Sequence, residues 1–159
     1  MNEITIGQMA PDFWLPTDDE KSVSLTGLAG KTIVLYFYPK NDTPGCTSQA
    51  SAFTALKSQF ELANGVVIGV SKDTIASHKK FRQKYGLSHI LASDNEHQVS
   101  ELFGVWVEKN MYGRKYMGLE RATFVIDAQG KVSHIWRKVK VTGHGEDVLK
   151  IVQKIAPAN

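Results

Sequence analysis

"TIVLYFYPKNDTPGCTSQAS", Thr32 to Ser51, is the stretch on which the fold turns. Its first part, Thr32 to Pro39, is a run of β-branched and aromatic residues closed by a proline, which predicts a buried strand. From Cys46 onward the apolar positions Ala50, Phe53, Leu56 and Phe60 recur every three or four residues. That spacing predicts one amphipathic helix over Pro44 to Leu62, with Pro44 in its first turn. A strand therefore passes through a short loop into a helix, and the chain's single cysteine, Cys46, falls on the inner stripe where that helix opens.

Upstream of the buried strand, "FWLPTDDEKSVSL" reads as a hairpin turning at Thr17 to Lys21. Downstream, "GVVIGVS" (Gly65 to Ser71) is a second buried strand, Thr74 to Tyr85 a helix stopped by Gly86, and "HILASD" a third strand. "EHQVSELFG" reads as a short helix and Val105 to Leu119 as an aromatic, basic loop with two glycines. "ATFVID" and "VSHIWRK" are strands joined by a turn at Ala128 to Lys131, and Glu146 to Ile155 is a closing helix. Strands alternating with helices, then a hairpin and a last helix, give an α/β fold with a mixed central β-sheet flanked by helices. This is the thioredoxin-like order with an N-terminal β-hairpin extension. With 159 residues, no repeat and no break in composition, residues 1–159 are expected to form a single domain.

Composition narrows the function. Hydrophobic residues make up 42% and charged residues 22%, which suits a folded globular chain and not a disordered one. The net charge of +3 is mild and the cations are spread out, so no nucleic-acid partner is expected. "VWVEKNMYGRKYMG" does mix aromatics with lysine and arginine in a way that could stack on bases, but a loop packed over the sheet and rimming a pocket is the simpler reading. "MNEITIGQMAPDF" carries no basic segment followed by an apolar one, and no apolar run is long enough to span a bilayer. A lone thiol cannot form an internal disulfide and suits reducing surroundings, so a cytoplasmic location without membrane contact is expected.

Cys46 is the chemical focus. A free thiol is only a few per cent thiolate at neutral pH, and the thiolate is the nucleophile. In the first turn of a helix, unpaired N–H groups and the positive end of the macrodipole favour the anion, by at most about 2 kcal/mol. A cation is needed as well. Against this stands the plain alternative of a packed structural thiol.

"FYPKNDTPGCT" closely resembles the active-site segment of the peroxiredoxins, in particular their bacterioferritin comigratory protein, or Q-type, subfamily. "GQMAPDFWLP", "GVSKD", "KYMGLERATFVID" and "VKVTGHGEDVL" match the same pattern, so the resemblance spans nearly the whole chain. It implies a thiol-dependent peroxidase in which Cys46 attacks the terminal oxygen of hydrogen peroxide or an organic hydroperoxide and becomes a sulfenic acid. It implies that Thr43 offers its hydroxyl to the peroxide, that Pro39 shields the sulfur from water, and that Arg121 is the active-site arginine. Splitting an O–O bond builds charge on the leaving oxygen, which gives the preorganised donors of Arg121, Thr43 and the Cys46 N–H a physical purpose.

The pattern is incomplete at one point. Many members carry a resolving cysteine five residues after the first, where this chain has Ser51; others carry it in the next helix, where this chain has Arg82, Gln83 and Lys84. Resolution is therefore expected from outside, by thioredoxin, glutaredoxin or a small-molecule thiol. Ser51 is either natural to a one-cysteine enzyme or a replacement of the resolving cysteine, and both leave the same chemistry at Cys46. A monomer without cofactor or metal is implied. The five histidines, His78, His89, His97, His134 and His144, fall in separate elements, which speaks against a metal site. His144 could serve a cysteine hydrolase, but "TGHGED" reads more simply as the lead into the last helix. "GLAGKT" is no phosphate loop, because Leu25 stands where its first glycine belongs and a strand follows. The competing function is a non-catalytic thioredoxin-like binding module; a dithiol oxidoreductase would need a C-x-x-C motif, and Thr47, Ser48 and Gln49 follow Cys46.

Overall fold

In the computed structural model, which describes residues 3–156, the polar stretch 17–21 folds the chain back so that β1 (Trp14–Pro16) pairs antiparallel with β2 (Ser22–Ser24). The expected buried strand is β3 (Thr32–Phe37), with all six residues buried. It lies at the centre of a five-stranded mixed sheet ordered β5-β4-β3-β8-β9. The parallel half uses β4 (Gly65–Ser71) and β5 (Ile90–Ser93); the antiparallel half uses β8 (Ala122–Ile126) and β9 (Val132–Trp136).

Side-chain alternation along β3 sorts the interior into two layers. Val34 and Tyr36, continued by Tyr38, face α1 (Pro44–Ala55), α2 (Lys57–Leu62), α3 (Ile75–Tyr85) and α5 (His144–Ile155), meeting Phe53, Phe60, Phe81 and Val148. Ile33, Leu35 and Phe37 face the other way, against Phe13 and Leu15 of the N-terminal segment and Val99 and Phe103 at α4 (Gln98–Leu102). Thr74 caps α3 by accepting from the Ser77 amide at 3.2 Å, and Gly86 ends it in the left-handed conformation.

The structure corrects the expected elements in three places. The helix expected over Pro44 to Leu62 is two, broken at Leu56 (φ −98°, ψ 2°), whose amide is shared between the Ala52 and Phe53 carbonyls. Periodicity misses the break because Phe53 and Phe60 face the same core on either side of it, ring centroids 5.9 Å apart. Val105 to Leu119 is not a loop but largely an antiparallel hairpin, β6 (Trp106–Met111) with β7 (Arg114–Leu119). Most of its residues are exposed or half-buried, so no apolar alternation marks it. Finally, α5 starts at His144, two residues before Glu146.

Candidate active site

The register of the sheet explains how distant residues meet. Phe37 of β3 pairs with Ala122 of β8, so the chain leaving β3 toward Cys46 runs beside the residue preceding β8, which is Arg121. Arg121 lies half-buried and donates from Nη2 to Cys46 Sγ at 3.3 Å. Its Nη1 donates to Gln49 Oε1 at 2.7 Å, one helical turn beyond the sulfur. A guanidinium only donates, so Gln49 must present its oxygen to Arg121. Its Nε2 is then left buried with no partner among the described residues.

Cys46 is the third residue of α1 and 1% exposed. Pro44 has no N–H, and the Thr47 amide donates to the Thr43 carbonyl at 2.8 Å. The Gly45 and Cys46 amides have no acceptor among the described residues, as expected of a first helical turn. Gly45 also makes room: a Cβ there would stand 3.2 Å from Arg121 Nη2. The guanidinium thus lies against the opening turn of α1 because that residue has no side chain.

Thr43 occupies the N-cap position of α1, but its side chain does not cap. Its hydroxyl instead donates to the Lys40 carbonyl at 2.9 Å, which commits the proton and leaves the oxygen lone pairs unspent. Pro39 is half-buried on the loop between β3 and α1. Ser51 is exposed on α1, five residues beyond Cys46.

The β6–β7 hairpin reaches this region through Lys109. Burial lowers the pKa of its ammonium, and the charge of Arg121 lowers it further, with the Cys46 sulfur also within electrostatic range. His144, weighed above as a hydrolase base, is engaged elsewhere. Its Nε2 lies 2.8 Å from Thr123 Oγ1, its ring packs edge-on against Phe53 and Trp136, and burial lowers its pKa. Among the described residues no histidine nitrogen bonds the sulfur, and no group of three ligating side chains converges on one point. Nor, among the described residues, is any helix long and apolar enough to cross a membrane.

The sequence placed Cys46, Thr43 and Arg121 as candidates, and the structure brings Arg121 to the sulfur with Thr43 at the head of the same helix. Gln49 was missed. Its spacing of three from Cys46 was the available signal, since that places both on one helix face.

The chain as a whole has relatives among known proteins. The model of the AhpC/TSA family matches residues 6–135. Peroxiredoxin Bcp of Bacillus subtilis is 44% identical over 153 residues, 96% of this chain and 98% of the relative. The solved bacterioferritin comigratory protein of Xanthomonas campestris, described for its alkyl peroxide reduction, superposes with a TM-score of 0.87 at 39% identity, covering 91% of this chain and 92% of its own. A cysteine-to-serine variant of PrxQ from Xylella fastidiosa gives 0.91 at 35% identity, over 97% and 98%.

Proposed function

Since the chain belongs to the AhpC/TSA family and is a peroxiredoxin of the bacterioferritin comigratory protein type, a thiol-dependent peroxidase, we propose that Cys46 is the residue that meets the peroxide and Arg121 the cation that serves it. The observation that carries this reading is the 3.3 Å contact from Arg121 Nη2 to Cys46 Sγ at the opening of a helix.

The chemistry balances as a two-electron oxidation of sulfur. The deprotonated Cys46 attacks the terminal oxygen of a hydroperoxide; the S–O bond forms as the O–O bond breaks, and the departing alkoxide or hydroxide takes up a proton to leave as alcohol or water. Charge passes from the sulfur to the leaving oxygen in that transition state. The Arg121 guanidinium and the unspent Gly45 and Cys46 amides are donors already oriented when it forms. Thr43, its own proton held by Lys40, accepts the O–H of the incoming hydroperoxide and so aims the terminal oxygen. Pro39, half-buried on the same loop, keeps bulk water off the sulfur.

The resulting sulfenic acid has no second cysteine to meet in this chain. An external thiol condenses with it, releasing water and leaving a mixed disulfide, and a second thiol returns Cys46 to the reduced state. Thioredoxin, glutaredoxin and small thiols all fit this role, and hydrogen peroxide and alkyl hydroperoxides are both substrates in this reading. The same reading has one domain acting as a monomer in the cytoplasm, where surroundings are reducing.

Peroxide turnover measured separately with thioredoxin, glutaredoxin and glutathione systems tests it, with Cys46→Ser as the control. Turnover with at least one system, abolished in the variant, is expected. No turnover with any, or equal turnover by Cys46→Ser, contradicts the proposal.

A further inference from the structure

The loop 40–43 presents Thr43 and leads straight into the turn that holds Cys46, yet it has no strand or helix of its own to fix it. A buried polar cluster behind it does that. The Asn41 amide donates to Asp73 Oδ2 at 2.9 Å, and Ser71 Oγ donates to the same oxygen at 2.6 Å. The Asn41 side chain, buried at 7% exposure, accepts the Tyr38 hydroxyl at 2.5 Å and lies 3.0 Å from both Ser77 Oγ and His78 Nδ1 through Nδ2.

The proton positions follow from chemistry. His78 Nε2 stands 3.0 Å from the Ala92 carbonyl, which can only accept, so Nε2 carries the proton. Burial lowers the pKa of this ring, in keeping with a neutral form whose Nδ1 is an acceptor. Only the NH₂ of Asn41 can face that Nδ1, which fixes the amide in one orientation. One residue on, Asp42 turns the chain at φ 61° and pairs with Lys84 at 2.8 Å and with the Tyr85 hydroxyl. Two successive residues thus tie the loop to α3, one buried and one at the surface.

We infer that Asn41 is a positioning residue for the peroxide reaction: its side-chain amide, held by Tyr38, Ser77 and His78, sets where the loop presents Thr43 and the first turn of α1 to the substrate. The Thr43 to Lys40 hydrogen bond spans Asn41, so a shift of Asn41 moves the hydroxyl that meets the hydroperoxide. A misplacement of about 1 Å in such a group can cost about 100-fold in rate. The inference rests on the function proposed above, and its test separates the two.

The two half-reactions are measured apart in the reduced full-length protein: oxidation of Cys46 by hydrogen peroxide in a single turnover, and reduction of the preformed sulfenic acid by dithiothreitol. Asn41→Ala removes the amide; Tyr38→Phe removes one hydrogen bond to it and keeps the ring, so it serves if the first variant does not fold. Oxidation should slow about tenfold or more in Asn41→Ala and about threefold in Tyr38→Phe, with reduction no slower than in the parent chain. A purely structural residue would lower the unfolding midpoint and leave the oxidation rate of the folded fraction unchanged. Oxidation within twofold of the parent in every folded variant, or equal slowing of both half-reactions, overturns the inference. If the parent chain itself is not oxidised at Cys46, the proposed function fails and takes this inference with it.

Discussion

Arg121 and Gly45 show how much of the site depends on single atoms. Arg121 touches the sulfur and Gln49 at once, so it acts as a charge and as a two-pronged fork. Arg121→Gln should slow peroxide reduction about 100-fold or more, because it removes a charge-assisted donor from the transition state. Arg121→Lys should recover only part of that loss, since an ammonium cannot hold both partners in the same fixed geometry. Comparing kcat/KM for the two variants checks the claim; equal rates in Arg121→Lys and the parent would reduce the arginine to a mere charge. Gly45→Ala places a methyl 3.2 Å from Nη2. Alanine is the better helix former, so the variant should be no less stable in urea while reducing peroxide several-fold more slowly. At this scale the sequence offered Cys46 through its place at the start of a predicted helix, and Thr43, Pro39 and Arg121 as candidates only through the resemblance to a family. It was silent on Gln49 and Asn41, whose roles depend on partners 72 and 32 to 37 residues away, with only Tyr38 close in sequence to Asn41.

Among the elements, β3, β4 and α3 were legible because burial and capping leave marks in the sequence: unbroken apolar runs, a threonine cap and a stopping glycine. The β6–β7 hairpin left no such mark, being half solvated on both strands. Its one local signal is the two-residue turn at Tyr112 and Gly113, both with positive φ (53° and 79°), joining the paired residues Met111 and Arg114. Tyrosine is a poor occupant of that conformation, and Tyr112 is fully exposed, with nothing to compensate it. Tyr112→Asn should therefore stabilise the chain by about 0.5–1 kcal/mol in urea unfolding. Unchanged or reduced stability would mean that the turn departs from the geometry asparagine and glycine favour.

The whole molecule carries an acid sensitivity that its composition alone does not reveal. His89 is buried beside the Tyr36 and Phe53 rings, Nε2 2.6 Å from the Tyr36 hydroxyl and Nδ1 2.9 Å from Thr54 Oγ1, and burial first, then the charges of Arg82 and Lys57, lowers its pKa to about 3. Above pH 6.5 the ring is neutral in folded and unfolded chains alike and adds no pH dependence. Below that, the unfolded chain binds a proton that the folded chain refuses until about pH 3, so stability falls with acid through this window. Each such proton weighs about 1.4 kcal/mol per pH unit, so His89 alone should cost about 2 kcal/mol between pH 7 and pH 5. Burial shifts His78 and His144 in the same direction. Urea unfolding at the two pH values should show this loss, and a smaller one in His89→Gln; identical midpoints would contradict it. A mixed sheet flanked by helices was legible in the alternation of strands and helices, whereas the strand order, the two core layers and the depth of each histidine needed the assembled fold. Whether a sulfur sealed at 1% exposure beside a guanidinium reacts with peroxide is read directly on the intact molecule. Reduced protein given one equivalent of hydrogen peroxide in the presence of dimedone should gain a single adduct, located at Cys46 by mass spectrometry and formed far more slowly in Arg121→Gln; a chain that stays unlabelled, or labels equally fast without the arginine, would contradict the account.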